Sequence, residues 1–389
     1  MTRTRAVSEG SDEPKLLRKG LEEEVYTGSL DGQVIGLAHR IAADLPGFAT
    51  EPDARNVEYT TAPYRDYKVL VDRLMAKRCR LRRYLMDLDL YTLVPGSTLS
   101  LEESDEFRIS NHDNLYYRFI AETYGTTVVT ASTHINLGIE DSEELIRVYR
   151  VLRCEAAIWL ALTASSPFLR GLPTGFHSTR WKVFPMTPAR VPFFRDHLHF
   201  VEWVESKLVN REMYNPRHLW LSVRPNGPAS PRELSRLELR ICDRISQPKV
   251  IAAMVGLAEA RIWQALEEPG LDPLDGRTDQ ELQELARLNE MAAAESSLEA
   301  TFVDWRTGTE HVMRDWIAAF LVQVRPVARA HGFEEVLEAV TTILDDGNLA
   351  QRWLAQHAAG STPREILAEA IQELTAIDRE YDPACPAPS

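Results

Sequence analysis

The sequence predicts an α+β protein with a mostly antiparallel sheet, helices on one face and a polar site on the other. Three observations predict it. Four short segments alternate apolar with polar side chains, the period of a half-buried strand. Between them lie segments with apolar residues at helical spacing. Up to about Ile262 strand-like runs, helices and Pro/Gly-rich loops alternate, whereas from about Thr278 the chain is almost wholly helix-forming. Parallel βαβ units would make the strands near-continuously apolar, and these alternate instead.

The period of two fixes which polar residues share a face. In residues 21–26, Leu21 and Val25 point one way and Glu22 and Glu24 the other. In 56–61, Val57 and Tyr59 oppose Asn56, Glu58 and Thr60. In 128–139, Ile135, Leu137 and Ile139 oppose Ser132, His134, Asn136 and Gly138; in 236–243, Leu237, Leu239 and Ile241 oppose Arg236, Glu238, Arg240 and Cys242. Residues 67–90 carry Leu70, Leu74, Leu81, Leu85 and Leu88 at helical spacing, and Asp141 with Glu144 reads as a capping box opening a helix that ends before Pro167. The basic run 77–83 reads as the solvated side of the first of these helices. Residues 193–208 look helical, which splays His197 and His199 apart and makes them structural. The Pro/Gly-rich stretch 267–277 is the expected joint between a unit at 16–266 and a helical region at 278–381 packed on it, with tails at 1–15 and 382–389.

Composition narrows the function. With 44 Lys+Arg against 58 Asp+Glu the net charge is −14, which repels phosphate at long range and argues against general nucleic-acid binding or attachment to an anionic membrane. Cys79, Cys154, Cys242 and Cys385 are scattered without a C-x-x-C, neither a disulfide framework nor a zinc site, and suit a reducing cytoplasm. Residues 1–19 lack the apolar stretch of a signal peptide, and nowhere do eighteen apolar residues run together, so neither export nor a membrane span is expected. No G-x-x-x-x-G-K-[ST], G-x-G-x-x-G, G-x-S-x-G or H-E-x-x-H occurs, which removes support for P-loop, dinucleotide, serine-hydrolase and zincin chemistry.

The carboxylates stand out. Acidic residues are depleted in strands, so Glu22, Glu24, Glu58 and Glu238 all facing away from the core ask for a counter-charge. Hard divalent cations held by carboxylate oxygens supply it, and Mg²⁺ shared with substrate phosphates fits best. His134 is either a further ligand or a hydrogen-bonding neighbour of Asn136. Loops at 165–171, 174–181 and 222–227 place small residues beside Arg170, Arg180 and Arg224, which suits bidentate grip of carboxylate or phosphate. Cys242 falls by parity on the Glu238/Arg240 face, against the plainer reading of a buried inert thiol.

The motifs that carry these residues are Lys19-Gly20-Leu21-Glu22-Glu23-Glu24-Val25-Tyr26, Glu51-Pro52-Asp53-Ala54-Arg55-Asn56-Val57-Glu58-Tyr59-Thr60-Thr61, Pro95-Gly96-Ser97-Thr98, Tyr124-Gly125-Thr126, Ser132-Thr133-His134-Ile135-Asn136, the 165–181 loop, Arg217-His218-Leu219-Trp220 and Arg236-Leu237-Glu238-Leu239-Arg240. In that order they resemble the cyanobacterial-type branch of the glutamate–cysteine ligase family of carboxylate-amine ligases, over roughly residues 16–260. The resemblance implies a glutamine-synthetase-like fold, a sheet curved around a funnel where ATP, Mg²⁺ and substrates meet. It implies two or three Mg²⁺ ions, with Mn²⁺ as a substitute, on Glu22, Glu24, Glu58, His134 and Glu238. Arg240 or Arg180 would stabilise the transferring phosphoryl group, and Arg224 or Arg180, with Ser178, Asn136 and Thr60, would bind substrate. Glu23 departs from the branch, where an apolar residue is usual, and suggests a first strand near a rim.

The expected reaction joins the γ-carboxylate of L-glutamate to the amine of L-cysteine through a γ-glutamyl phosphate, with ATP as co-substrate, the first step of glutathione synthesis. A related ligase with another amine or aminoacyl acceptor, or a phosphagen-type kinase, are the alternatives. The partners are small molecules in the cytoplasm, a homodimer being the assembly considered.

Overall fold

The alternating segments come together as one seven-stranded antiparallel sheet in a computed structural model that describes residues 16–101, 104 and 106–386. Its strands are β1 (Lys19–Gly28), β2 (Phe48–Thr50), β3 (Asn56–Thr60), β4 (Thr92–Val94), β5 (Thr133–Gly138), β8 (Val223–Asn226) and β9 (Arg236–Leu239), with β6 (Phe168–Leu169) and β7 (Leu172–Pro173) forming a separate small hairpin. The order is β2-β3-β1-β5-β9-β8, with β4 also pairing with β1. β1 is therefore central, which corrects the expectation of a rim drawn from Glu23. It ends at Gly28, where a Cβ would lie 2.1 Å from the carbonyl oxygen of Gln33.

The strands are shorter than alternation alone suggested. The expected strand at 128–139 begins only at Thr133, and the one at 236–243 ends at Leu239, leaving Ser132 and Asp243 to meet as an isolated bridge. Parity cannot be carried past Leu239. Cys242 accordingly lies in the apolar core, not on the carboxylate face.

Helices cover the other side of the sheet. The helices of the chain are α1 (Ala38–Asp44), α2 (Tyr67–Asp89), α3 (Leu115–Tyr124), α4 (Ser142–Glu155), α5 (Ala157–Thr163), α6 (Thr179–Val183), α7 (His197–Val209), α8 (Pro248–Glu267), α9 (Asp279–Ser296), α10 (Met313–Ala330), α11 (Glu338–Asp346), α12 (Leu349–Ala358) and α13 (Pro363–Tyr381), and α3 lies instead at the Glu51 end of the open face. α2 starts where the Asp66 side chain accepts from Val69 N at 2.8 Å and stops at left-handed Leu90. The helix expected from Asp141 is two, α4 and α5, broken at Ala156; Asp141 caps the first by accepting from the N–H groups of Glu143 and Glu144, without the return bond from the Glu144 side chain that the expected capping box needs. His197 and His199 are structural, as expected: they lie in α7, where His197 Nε2 is 3.0 Å from Pro231 O and His199 Nδ1 accepts from Arg195 N.

One apolar core runs from Leu17 to Leu374 and joins the sheet to the C-terminal helices. Buried ion pairs reinforce the join. Glu259 of α8 accepts from Lys19 Nζ at 2.5 Å, from Tyr67 Oη at 2.6 Å and from Leu17 N at 2.5 Å. Arg78 and Arg82 of α2, both buried, clamp Asp378 of α13. This corrects the solvated reading of the run 77–83: α13 packs on that side of α2, and only Arg80 and Arg83 stay exposed. The stretch 267–277 is tied down by Arg150 on Asp272 and by buried Leu271 and Pro273. At the C-terminus Cys385 is buried beside Cys79, so the expected tail is held at least that far, while the tail at 1–15 lies outside the described residues.

Candidate functional site

Register turns the alternating residues into three rows across the open face. Glu24 of β1 pairs with Glu58 of β3, Glu22 stands between Thr60 and His134, and Glu238 of β9 stands between Asn136 and Arg224. Two clusters result. Ligand atoms of Glu22, His134 and Glu238 lie within 4.8 Å of one another, and so do those of Glu24, Glu51 and Glu58. His134 sits between them: its Nδ1 is 3.4 Å from Glu22 Oε2, and its Nε2 is 2.9 Å from Ser132 Oγ, which donates to Glu24 at 2.5 Å.

The two clusters differ in charge balance. Burial opposes ionisation of Glu238, yet Arg224 and Arg240 hold its carboxyl well below the usual carboxylate range. Arg224 donates to it through Nε at 3.0 Å and Nη2 at 2.8 Å, Asn226 adds a donor at 2.7 Å, and Arg240 Nη1 completes the set. Burial and the Glu238 charge work against Glu22, but the hydrogen bond and charge of His134, with Arg240, leave it below its ordinary value. In the second cluster burial and repulsion from Glu58 and Glu24 push Glu51 well above the ordinary value, and burial with Glu22 and Glu24 raises Glu58. No lysine or arginine pairs with Glu24, Glu51 or Glu58 among the described residues; His134 Nε2 lies 3.8 Å from Glu24 Oε1. Three oxygen donors with too little counter-charge suit a hard divalent cation.

Glu51 escaped the sequence reading because it follows the last residue of β2, outside any alternation. Its position seven residues before Glu58 within one quoted motif was the available signal. Asn136 lies where expected, donating to Glu22 Oε1 at 2.9 Å and accepting from Arg236 Nε at 2.9 Å. Thr60 faces the same side at the end of its row. Arg224 is on the face but is committed to Glu238, which corrects its expected freedom to hold a substrate carboxylate.

Two expected site residues are placed otherwise. Arg180, 3 % exposed, donates to the carbonyls of Ile241 and Arg240 at 3.1 and 2.9 Å, so these donors brace the end of β9 instead of a substrate. Ser178 is fully buried; its Oγ donates to Asp243 at 2.8 Å and caps α6 by accepting from Trp181 N. Asp243 also accepts from Ser165 N at 2.9 Å and Ser166 Oγ at 2.7 Å, so the small residues of the 165–181 loop serve to anchor it. Arg240 is the partly exposed guanidinium on the face, 13 % open at the side chain.

An aromatic wall closes the Glu51 end. Tyr116, Phe119, Tyr124, Tyr214, His218 and Trp220 pack in stacked, tilted and edge-to-face pairs with centroids 4.5–6.5 Å apart. Tyr117 Oη donates to Thr50 O at 2.6 Å, and Arg224 Nη1 donates to Arg217 O at 2.7 Å, which fastens the wall to the sheet. Burial lowers the His218 imidazole to about 4, so it is neutral at pH 7.

A sheet face of carboxylates served by arginines, in an α+β fold of this topology, defines a class. Across residues 18–376 the chain matches the family model "Glutamate-cysteine ligase family 2(GCS2)", and it belongs to that family. A Rubrobacter xylanophilus protein named "Putative glutamate--cysteine ligase 2-1" is 25 % identical over 347 residues, 86 % of this chain and 88 % of that one. A second from the same organism, named with the suffix 2-3, is 29 % identical over 331 residues, 83 % and 86 % of the two chains. Among solved structures, a glutamate–cysteine ligase from Francisella tularensis in complex with AMP superposes with TM-score 0.75 at 12 % identity, over 97 % of this chain and 91 % of that one. A bifunctional glutathione synthetase from Pasteurella multocida gives 0.73 at 17 %, over 94 % and 53 %. The fold is that of these ligases.

Proposed function

We propose that the protein is an ADP-forming ligase that activates the γ-carboxylate of L-glutamate with ATP and passes the γ-glutamyl group to the amine of L-cysteine. The observation that carries this reading is the pair of oxygen-rich clusters on one sheet face, one balanced by arginine and one without lysine or arginine, in a chain of this family. A carboxylate resists attack by an amine because oxide is its leaving group; phosphorylation replaces oxide with phosphate. Mg²⁺ held by Glu24, Glu51 and Glu58, and by Glu22, His134 and Glu238, would supply charge neutralisation for the phosphates when bound.

The chain's own residues do the rest. Arg240, fixed by Glu238 and open on one side, offers donors to the transferring phosphoryl group. Glu238 keeps both arginines oriented, and Asn136 holds Glu22 in place. The aromatic wall excludes water from the Glu51 end, where an acyl phosphate would otherwise hydrolyse. Among the described residues no helix is long and apolar enough to cross a membrane.

The test is an assay with ATP, Mg²⁺, glutamate and each of the twenty amino acids, read by mass. Cysteine should yield γ-glutamylcysteine, ADP and phosphate. Glutamate-dependent ATP consumption without cysteine dependence rejects the acceptor, and no dependence on glutamate rejects the reaction.

A further inference from the structure

The two carboxylate clusters meet at Ser132. It lies one residue before β5, is fully buried, and its hydroxyl stands 2.5 Å from Glu24 Oε2 and 2.9 Å from His134 Nε2. Its backbone is held from two sides. The Ser132 carbonyl accepts from Glu24 N at 2.9 Å, and the residue bridges to Asp243, which Ser165 N, Ser166 Oγ and Ser178 Oγ hold in turn. The hydroxyl is therefore presented to both neighbours from a fixed support.

A serine hydroxyl has one proton to give and two lone pairs with which to accept. The Glu24 contact is as short as a hydroxyl donating to a carboxylate becomes, and a carboxylate has no proton to give, so the Ser132 proton points at Glu24. His134 Nε2 is then the donor to Ser132 Oγ. The other acceptor on that side, Glu24 Oε1, lies 3.8 Å from Nε2, beyond hydrogen-bond reach. A neutral imidazole carries one N–H, so its lone pair falls on Nδ1. Nδ1 is the nitrogen that faces the first cluster, 3.4 Å from Glu22 Oε2 and 3.8 Å from Glu238 Oε1. In the opposite tautomer Nδ1–H would point among those carboxylates and take the place of a cation.

We infer that Ser132 is a positioning residue for the metal face: it holds His134 as the Nε2–H tautomer, which leaves Nδ1 to join Glu22 and Glu238 as a ligand. The inference rests on the metal reading above. An outer hydrogen bond of this kind sets the tautomer and direction of a ligating imidazole, and its loss weakens metal binding by about 10- to 100-fold.

Titration calorimetry with Mn²⁺ on the full chain tests this without turnover. The wild type should bind Mn²⁺, and folded Ser132→Ala should bind it about 10- to 100-fold more weakly. Because the hydroxyl acts through the imidazole, Ser132→Ala and His134→Ala should not be additive: the double variant should lose far less than the product of the two single losses. Long-range proton–nitrogen NMR spectra of the histidine-labelled, Mg²⁺-loaded wild type, with the His134 signal identified by its loss in His134→Ala, should show the proton on Nε2. That spectrum decides the matter if Ser132→Ala fails to fold. A proton on Nδ1, unchanged Mn²⁺ affinity in folded Ser132→Ala, or fully additive losses would each overturn the role of Ser132 while the metal reading stands. A wild type that binds no Mn²⁺ at millimolar concentration would remove the metal reading, and this inference with it.

Discussion

Two sets of buried acids occupy opposite sides of the sheet, and they are treated in opposite ways. Behind it, three fully buried acids have their cations: Asp378 has Arg78 and Arg82, Glu259 has Lys19, and Glu155 has Arg261 with Trp305 Nε1 at 3.0 Å. On the open face Glu24, Glu51 and Glu58 converge with no lysine or arginine partner among the described residues, and burial with mutual repulsion raises Glu51 and Glu58. Balanced pairs hold the fold together. The unbalanced cluster stores repulsion that only a bound cation relieves, so it marks the functional face on physical grounds.

The sharpest way to break the comparison is to remove one acid from each set. On the open face Glu58→Ala should lower Mg²⁺-dependent turnover by about 10³-fold, the scale seen when one preorganised electrostatic contact is lost at a reacting centre. Its metal-free thermal stability should stay level or rise, because repulsion falls. Full activity in a folded Glu58→Ala protein would remove the metal assignment. Behind the sheet Asp378→Ala should do the reverse. It leaves two buried guanidinium groups unpaired and should cost about 3 kcal/mol or more in chemical denaturation, with turnover per folded molecule preserved. A loss under about 1 kcal/mol would show that Arg78 and Arg82 find other partners.

A third acid sharpens the contrast because it is buried with partial compensation. Glu290 of α9 lies between Ser222, Trp181 and Arg153, and burial pushes its carboxyl up to about 7. A group raised in the folded state stabilises fully below its unfolded value, near 4.5, and that contribution is lost as pH rises through about 7. Glu290→Gln should therefore gain on the wild type as pH goes from 5 to 8, by about 2 kcal/mol, and equilibrium unfolding at the two pH values measures it. A constant difference would mean that Glu290 is ionised throughout.

How much of this was legible in the sequence follows from which residues obey a local period. Glu22, Glu24, Glu58, His134 and Glu238 were found by alternation because each sits inside a strand whose apolar partners face the core. Glu51 was not, since it lies beyond β2, and Cys242 was misplaced because β9 stops at Leu239. The fate of Arg78 and Arg82 was beyond any local pattern: their partner Asp378 lies about 300 residues away, on a helix that covers the side of α2 that the periodicity left to solvent. Arg180 misled for a related reason. A guanidinium in a glycine-rich loop looks like an anion grip, but its donors meet backbone carbonyls at a strand end, which no sequence pattern specifies.

The smallest expected effect concerns Cys242, the one residue that the period of two placed on the reacting face and the structure moved to the core. Burial pushes its thiol up to about 12, so it is protonated at pH 7 and a poor nucleophile, despite the nearby Arg180 charge that works the other way. An acyl phosphate also needs no protein nucleophile. Cys242→Ser should keep turnover within about threefold and cost about 1 kcal/mol of stability for placing a hydroxyl in an apolar setting, where Thr163 is the adjacent polar side chain. Iodoacetamide should leave Cys242 unlabelled in the folded protein and label it on denaturation, since access and thiolate fraction are both low before unfolding. A folded but inactive serine variant, together with an acylated peptide containing Cys242 trapped during turnover, would return the residue to the site and replace direct transfer from the acyl phosphate with a covalent relay.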